Sequence, residues 1–434
     1  MKYAVIAYYN KYLSLNGKDS QNMGDWVQTL AMEKLFSEWG IDNYEYVSRN
    51  NTRTYDGESV VLPYNSFNTL IPSAGYRTDS FPVSDKIRPV FLSFHYHDRY
   101  ISEEFKEQLI KYGPVGCRDE ETFNNMKAHN IPSYLSGCVT ALFDKREPDK
   151  ERYKRIFFVD TPEDIIKYVP DDIREKIEFK TNAYKITRTE GDHYMTMEEA
   201  DTVYNATKES LKLYKDHAAL IVTSRLHIAS PCMAMGIPVV LVKEDFDGRF
   251  AWIDKYLPLY SKEKWKDIDW NSNPVDLEKE KILIKNVLKE LIIDNDRSRV
   301  DEIDRLYKNR ERYEYNCSIK NSVRSLLIDT SKYTKYAVWG IVAKTLIVTN
   351  AIDDVYESMD LSAAYDMSVK GQFEGIDIKH PDEIDFRKDT IYFVIASKAF
   401  DDARTKFTYY DCKYVLVNMY DYSYETNLGG INEC

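Results

Sequence analysis

Thr223-Ser224-Arg225-Leu226-His227 lies between two apolar runs, and its reading decides the fold. Before it stands Ala219-Leu220-Ile221-Val222, a strand-like segment. After it, Ile228-Ala229-Ser230-Pro231-Cys232-Met233-Ala234-Met235 reads as a buried helix. Gly236 closes that helix, and Ile237-Pro238-Val239-Val240-Leu241-Val242 reads as a second buried strand. Short apolar runs separated by a helix of this length predict a parallel β-α-β unit. Arg225 and His227 then fall at a strand's C-terminal end, where open α/β sheets bind ligands. The first N–H groups of the following helix and the positive end of its dipole favour an anion there. A guanidinium and an imidazole at that spot point to a phosphate or a carboxylate.

Composition sets the frame. The 434 residues suggest about three domains, and 43% hydrophobic with 30% charged residues describes an ordinary soluble globular chain. No apolar run approaches the roughly 20 residues of a membrane span. Residues 1–8, MKYAVIAY, read as a first core strand, too short and too aromatic for a leader peptide. The six cysteines are scattered without a CxxC pair, so reduced thiols in a cytoplasm are the simpler expectation. A net charge of -12 argues against general nucleic-acid binding, which needs a basic face. An anionic ligand must therefore be held by a local basic site. The 35 tyrosines suit sugar stacking, and equally well ordinary core and surface use.

Taken in order, the first strand is followed by a polar loop over 10–23 and a helix with Trp26, Leu30, Ala31, Leu35 and Trp39 at helical spacing, ended by Gly40. Gly24 permits close approach to the backbone. Asp25 sits in the first turn, either as a cap or as a site residue. Strands are expected at 44–47, 59–62 and 89–94, the last leading into His95 and His97. These two project to one side of an extended chain, but no third ligand stands at a recognisable spacing. They are expected to line a site or the surface, and no metal is expected. A strand at 115–117 turns into a helix over 120–128, with Asp119 as its cap. Arg118 is out of place beside a helix N-terminus, so its partner is Asp119, Glu121 or a substrate.

Residues 144–154 are charged and read as an interdomain linker or exposed crossover. A strand at 156–160 and helices at 171–175 and 197–216 lead to the Arg225 strand. The turn after the 239–242 strand brings Lys243 and Arg249 to the same edge. Residues 277–327 read as a long amphipathic helical region. From Tyr336 a third α/β unit of about 100 residues begins. Its first turn, 340–344, lacks the glycines of a dinucleotide fingerprint.

Three motifs now stand in order: Asn22-Met23-Gly24-Asp25 with Gln28, Arg118-Asp119-Glu120-Glu121-Thr122, and Ser224-Arg225-Leu226-His227 followed by Gly236-Ile237-Pro238. In order and spacing the chain resembles the polysaccharide pyruvyl transferase family over roughly residues 1–330. The resemblance implies an α/β fold with two Rossmann-like domains in a GT-B-like arrangement, here with a third small α/β domain. The expected division is 1–148 (acceptor side), 149–333 (donor site and bridging helices) and 334–434 (Rossmann-like).

The resemblance also implies an enzyme that moves the enolpyruvyl group of phosphoenolpyruvate onto sugar hydroxyls to form a ketal, as in capsule or exopolysaccharide synthesis. No cofactor is expected, because phosphoenolpyruvate is the donor substrate. The acceptor is a sugar or glycan, with nucleotide or lipid linkage left open, as is a homo-oligomer. By resemblance His227, Arg225 and Asp25 are the catalytic candidates. Arg118, Leu226 (through its N–H), Gly24, Ser224, Lys243, Arg249 and His95 are the substrate-binding ones. Members often carry a lysine where Asp247 stands here, and Lys243 or Arg249 is expected to replace it. The competing expectation is a GT-B glycosyltransferase using a nucleotide sugar, whose diphosphate would suit the same helix N-terminus.

Overall fold

The computed structural model describes residues 2–9, 18–68, 80–148, 151–187, 195–308, 333–342, 345–346, 348–349, 352, 359–417 and 424–427. The chain forms two compact units, the first comprising 1–67, 79–96 and 101–316, the second 68–78, 97–100 and 317–434. Both are built on parallel sheets.

The first unit holds two such sheets. One has the order Tyr44–Ser48, Lys2–Ala7, Val60–Tyr64, Ile87–Phe91, all parallel. The other runs Ile177–Lys180, Arg155–Val159, Ala218–Thr223, Val239–Val242, Leu259–Tyr260, again all parallel. Parallel strands covered by helices read as continuous apolar runs. Here Phe158, Val222, Val240 and Val242 close a core with Trp265. In the second sheet the strand order reverses between Arg155–Val159 and Ala218–Thr223. That reversal leaves a crevice beyond their C-terminal ends, and Asp160 and Ser224 follow those two strands directly.

Helix Met23–Glu38 is buried along most of its length, and its Val27 and Leu30 pack on Leu211 of helix Met197–His217. Phe36 fills the core position, while Trp39 is half-buried at the C-cap and Gly40 (φ 73°) ends the helix. The expected polar loop is corrected: residues 18–22 form a strand that pairs antiparallel with Ala183–Thr187, Asn22 opposite Ala183. Local composition could not show this, because the partner strand lies far along the chain. Residues 10–17 fall outside the described ones. In the charged segment expected as a linker or exposed crossover, Arg146 donates to the Ala218 carbonyl and stacks over Tyr153. The amphipathic region resolves into helices Glu278–Lys289 and Val300–Lys308 around a π-turn, Glu290–Asp294. Residues 309–327 of that expectation lie outside the described residues.

The second unit contains a seven-stranded sheet. Its five central strands, in the order Ile376–Lys379, Asp360–Tyr365, Lys335–Trp339, Thr390–Val394, Lys413–Val417, are parallel. Trp339, Tyr392, Phe407 and Tyr414 form its core with helix Phe400–Tyr409. Gly340 takes φ 100°, and the Ile341 N–H is claimed by Asp366 Oδ2 at 2.7 Å.

Helix Leu226–Ala234, predicted from its apolar run, is held at its far end by a buried cation. Lys281 Nζ donates to the Ala234 carbonyl at 2.5 Å and pairs with Glu278 at 2.7 Å. A cation is favoured where last-turn carbonyls lack partners. Replacing it by methionine keeps the volume and strands the carbonyl. Lys281→Met is expected to lower unfolding stability by roughly 1–3 kcal/mol, read from the denaturant midpoint. An unchanged midpoint would show that the bond contributes nothing.

Candidate active site

Two helix starts converge on one point in the first unit. Asn22 caps helix Met23–Glu38: its Oδ1 accepts the Gly24 N–H at 3.1 Å and its Nδ2 donates to Asp25 Oδ1 at 3.2 Å. Gly24 is pressed against the second half of the unit. A Cβ there would stand 3.0 Å from the Cβ of His227 and 3.1 Å from Asn182 Nδ2. The close approach that glycine allows is thus between two motifs of the protein itself.

His227 stands in the first turn of helix Leu226–Ala234, which carries no acidic residue there, and leaves helical geometry at φ −84°, ψ 15°. Its Nε2 is 3.9 Å from Cys138 Sγ. Burial first, then Arg118 and Arg249, push its pKa down to about 3, against the pull of Asp25 and of a backbone bond to Gly24. Part of the residue still touches solvent, but two nearby guanidiniums impose the same direction whatever its exposure. At neutral pH this imidazole is uncharged.

Arg118 is 1% exposed, between strand Val115–Cys117 and helix Glu120–Ala128. Its neighbour Asp119 is engaged elsewhere. Asp119 Oδ1 accepts the Thr122 N–H and hydroxyl, each at 3.0 Å, and Oδ2 accepts His95 Nδ1 at 2.5 Å. Burial would raise the Asp119 carboxyl, but His95, Arg118 and the Thr122 N–H outweigh it and hold it at about 2. His95 is itself lowered, by burial above all. It is therefore neutral at pH 7 and donates through Nδ1 to an ionised carboxylate. Arg118 is left with an ion pair at 3.6 Å, and its Nε and Nη1 find no hydrogen-bond partner among the described residues. A buried donor left unmet costs about 1–3 kcal/mol, more when charged. Such a group calls for an explanation, and a bound anion supplies one.

The other positive charge is Arg249. Asp247 holds its fork, Nε to Oδ1 at 2.6 Å and Nη2 to Oδ2 at 2.7 Å, and its Cζ lies 5.8 Å from the centre of the Phe67 ring. The same ring stacks on His95 at 4.9 Å. Asp247 therefore orients an arginine. Lys243 donates to the Asp245 carbonyl at 2.7 Å and stands 4.0 Å from Asp247 Oδ2. Arg225 is half exposed and its Nε bonds to Asp160 Oδ2 at 2.8 Å, while the Ser224 hydroxyl donates to the Asp160 carbonyl at 2.5 Å. Leu226 is buried. His97 belongs to the second unit, where its N–H meets the Asn68 carbonyl. Among the described residues, no group of three or more His, Cys, Asp or Glu side chains is placed to hold a metal ion. No described helix is long and apolar enough to cross a membrane.

The structure thus gathers Gly24, Asp25, His95, Arg118, His227 and Arg249 around one electropositive point. Sequence reasoning missed Asn182, Asp160 and Phe67, which are a turn amide, a strand-end acid and an isolated aromatic with no motif to mark them.

The polysaccharide pyruvyl transferase family model matches residues 22–245, just over half of the chain. The chain belongs to that family. The polysaccharide pyruvyl transferase match spans Asn22 through Asp245 and stops short of Asp247 and Arg249, which the fold nonetheless brings in. No curated protein matches the chain. Among solved structures, it is similar to an uncharacterized protein of Klebsiella pneumoniae subsp. pneumoniae NTUH-K2044, with 13% identity, 58% of this chain and 86% of that one covered, and a TM-score of 0.34. A candidate UDP-N-acetylglucosamine 2-epimerase from Listeria monocytogenes shares 11% identity over 68% of this chain and 98% of its own, with a TM-score of 0.35. Likenesses this distant bear on neither substrate nor site.

An arginine kept for a ligand should be dispensable for folding. In Arg118→Met, unfolding stability is expected to stay within about 1 kcal/mol of wild type, since the guanidinium leaves little hydrogen bonding behind. Millimolar phosphate should raise the melting temperature of the wild type, because a ligand that binds only the folded state stabilises it, and should leave that of Arg118→Met unmoved. A phosphate shift equal in both proteins would place the anion elsewhere.

Proposed function

We propose that this transferase moves the pyruvyl group of phosphoenolpyruvate onto sugar hydroxyls, forming a pyruvate ketal and releasing phosphate. The observation that carries the reading is the pairing of an unmet buried guanidinium, Arg118, with a neutral imidazole, His227, inside the matched family region. Phosphoenolpyruvate brings a phosphate and a carboxylate, and planar guanidiniums bind both bidentately where lysine cannot. Arg118 and Arg249 are the clamps, with Arg225 at the rim.

Arrival of the anion changes His227. One negative charge about 4 Å from the ring is worth on the order of 4 kcal/mol at an effective dielectric of about 20, or roughly three pKa units. That is enough to bring the imidazole from about 3 back towards its ordinary range. The substrate itself therefore charges the acid.

Protonated His227 delivers its proton to the methylene carbon, and the adjacent carbon becomes cation-like. A sugar hydroxyl attacks that carbon, with Asp25 in reach of His227 to orient it or take its proton. Phosphate then leaves with the C–O bond electrons, and a second hydroxyl closes the ketal. Two hydroxyl protons are lost and one is gained by carbon; the balance leaves with phosphate or solvent.

Incubation with phosphoenolpyruvate and a panel of glycans is expected to release phosphate and give a new methyl ketal signal by NMR. Arg225→Lys should lose about tenfold or more in kcat/KM, since a planar guanidinium oriented by Asp160 becomes a flexible point charge. His227→Ala should lose about a hundredfold or more. Wild-type rates in both variants, or turnover only with nucleotide sugars, would sink the reading.

A further inference from the structure

Asn182 occupies the turn between strands Ile177–Lys180 and Ala183–Thr187 and joins the first and third motifs. Its N–H donates to Asp160 Oδ2 at 3.0 Å, the oxygen that also takes Arg225. Its carbonyl accepts the Met23 N–H at 3.0 Å. Its side-chain Nδ2 donates to Asn22 Oδ1 at 3.2 Å. The amide's orientation follows from the donors around it. The Gly24 N–H can only donate, so the Asn22 atom it meets is the oxygen. That oxygen can accept from Asn182 only through Nδ2. Asn182 Oδ1 is thereby turned away from Asn22, and it has no hydrogen-bond partner among the described residues although the residue is only 3% exposed.

The two unmet groups near His227 are thus opposite in kind. Arg118 presents donors and calls for an anion. Asn182 presents a carbonyl and can be satisfied only by a donor. Ionised phosphoenolpyruvate carries acceptor oxygens alone, so it cannot answer Asn182; a sugar hydroxyl can. We infer that Asn182 Oδ1 is the anchor for a hydroxyl of the acceptor sugar, setting the acceptor beside Gly24 and His227. The inference rests on the pyruvyl transfer reading. Although Asn182 lies in the second half by sequence, its turn opens the strand that is hydrogen-bonded to Lys18–Asn22. The acceptor would therefore be positioned by the ribbon that ties the two halves together.

The test combines Asn182→Leu with deoxy sugars. Phosphoenolpyruvate binding is measured by calorimetry, and transfer is followed by phosphate release with a panel of methyl pyranosides. For a pyranoside that the wild type uses, its monodeoxy analogues are then compared on both proteins. One analogue is expected to raise KM about tenfold on the wild type and to cost nothing further on Asn182→Leu. Phosphoenolpyruvate affinity should stay within about twofold in the variant, a split that a merely structural role would not give. If Asn182→Leu fails to fold, Asn182→Asp, which keeps an acceptor oxygen, serves instead and should retain the deoxy penalty. Equal penalties in wild type and Asn182→Leu, loss of that penalty in Asn182→Asp, or a wild type that binds phosphoenolpyruvate but uses no pyranoside, would overturn the anchor. A wild type that binds no phosphoenolpyruvate would overturn the parent reading, and this inference with it.

Discussion

The site depends on a positive charge that the fold buries without fully answering. Asp119 sits next to Arg118, yet its two oxygens are taken by Thr122 and His95. The ion pair left to Arg118 is long, at 3.6 Å. Had Asp119 been free to make a bidentate fork, Arg118 would be a structural residue with its donors met. Because Asp119 is already engaged, the guanidinium keeps unmet donors, and its charge adds to burial in holding His227 uncharged. The buried arginine and the neutral histidine are one electrostatic arrangement, seen from two residues.

The rest of the first unit serves to hold those groups together. Each parallel sheet ends its strands at the same edge, and the strand-order reversal opens a crevice beside Asp160 and Ser224. Gly24 lets helix Met23–Glu38 start against His227 with no side chain between them. Lys281 satisfies the other end of the His227 helix. Asp247 does for Arg249 what it cannot do as a ligand of an anion: it fixes a guanidinium by both oxygens.

Much of this was legible in the chain alone, where local rules decide. The Ala218–Thr223 strand and the Leu226–Ala234 helix follow from apolar runs and their lengths. The Asp119 cap and helix Glu120–Ala128 follow from acids placed before an apolar spacing. Arg118 was conspicuous because a cation at a helix N-terminus is unfavourable. What could not be read is long-range pairing. Strand Lys18–Asn22 looks like a polar loop because its partner is supplied by residues 183–187. Asn182 and Asp160 have no periodicity to mark them. That Asp247 reaches both basic candidates, Arg249 by its fork and Lys243 at 4.0 Å, is likewise a matter of turn geometry that spacing does not show.

The most direct measurement is proton uptake on binding. Calorimetry of phosphoenolpyruvate binding at about pH 6 in buffers of different ionisation enthalpy reports protons taken up, and His227→Asn subtracts those exchanged by the ligand itself. His227 is uncharged in the unliganded protein, its pKa pushed down to about 3, and on the proposed reading it gains a proton as the anion offsets Arg118 and Arg249. The account predicts that the wild type takes up a substantial fraction of one proton more than His227→Asn. Equal uptake by the two proteins would mean that the anion does not bear on His227, and would contradict it.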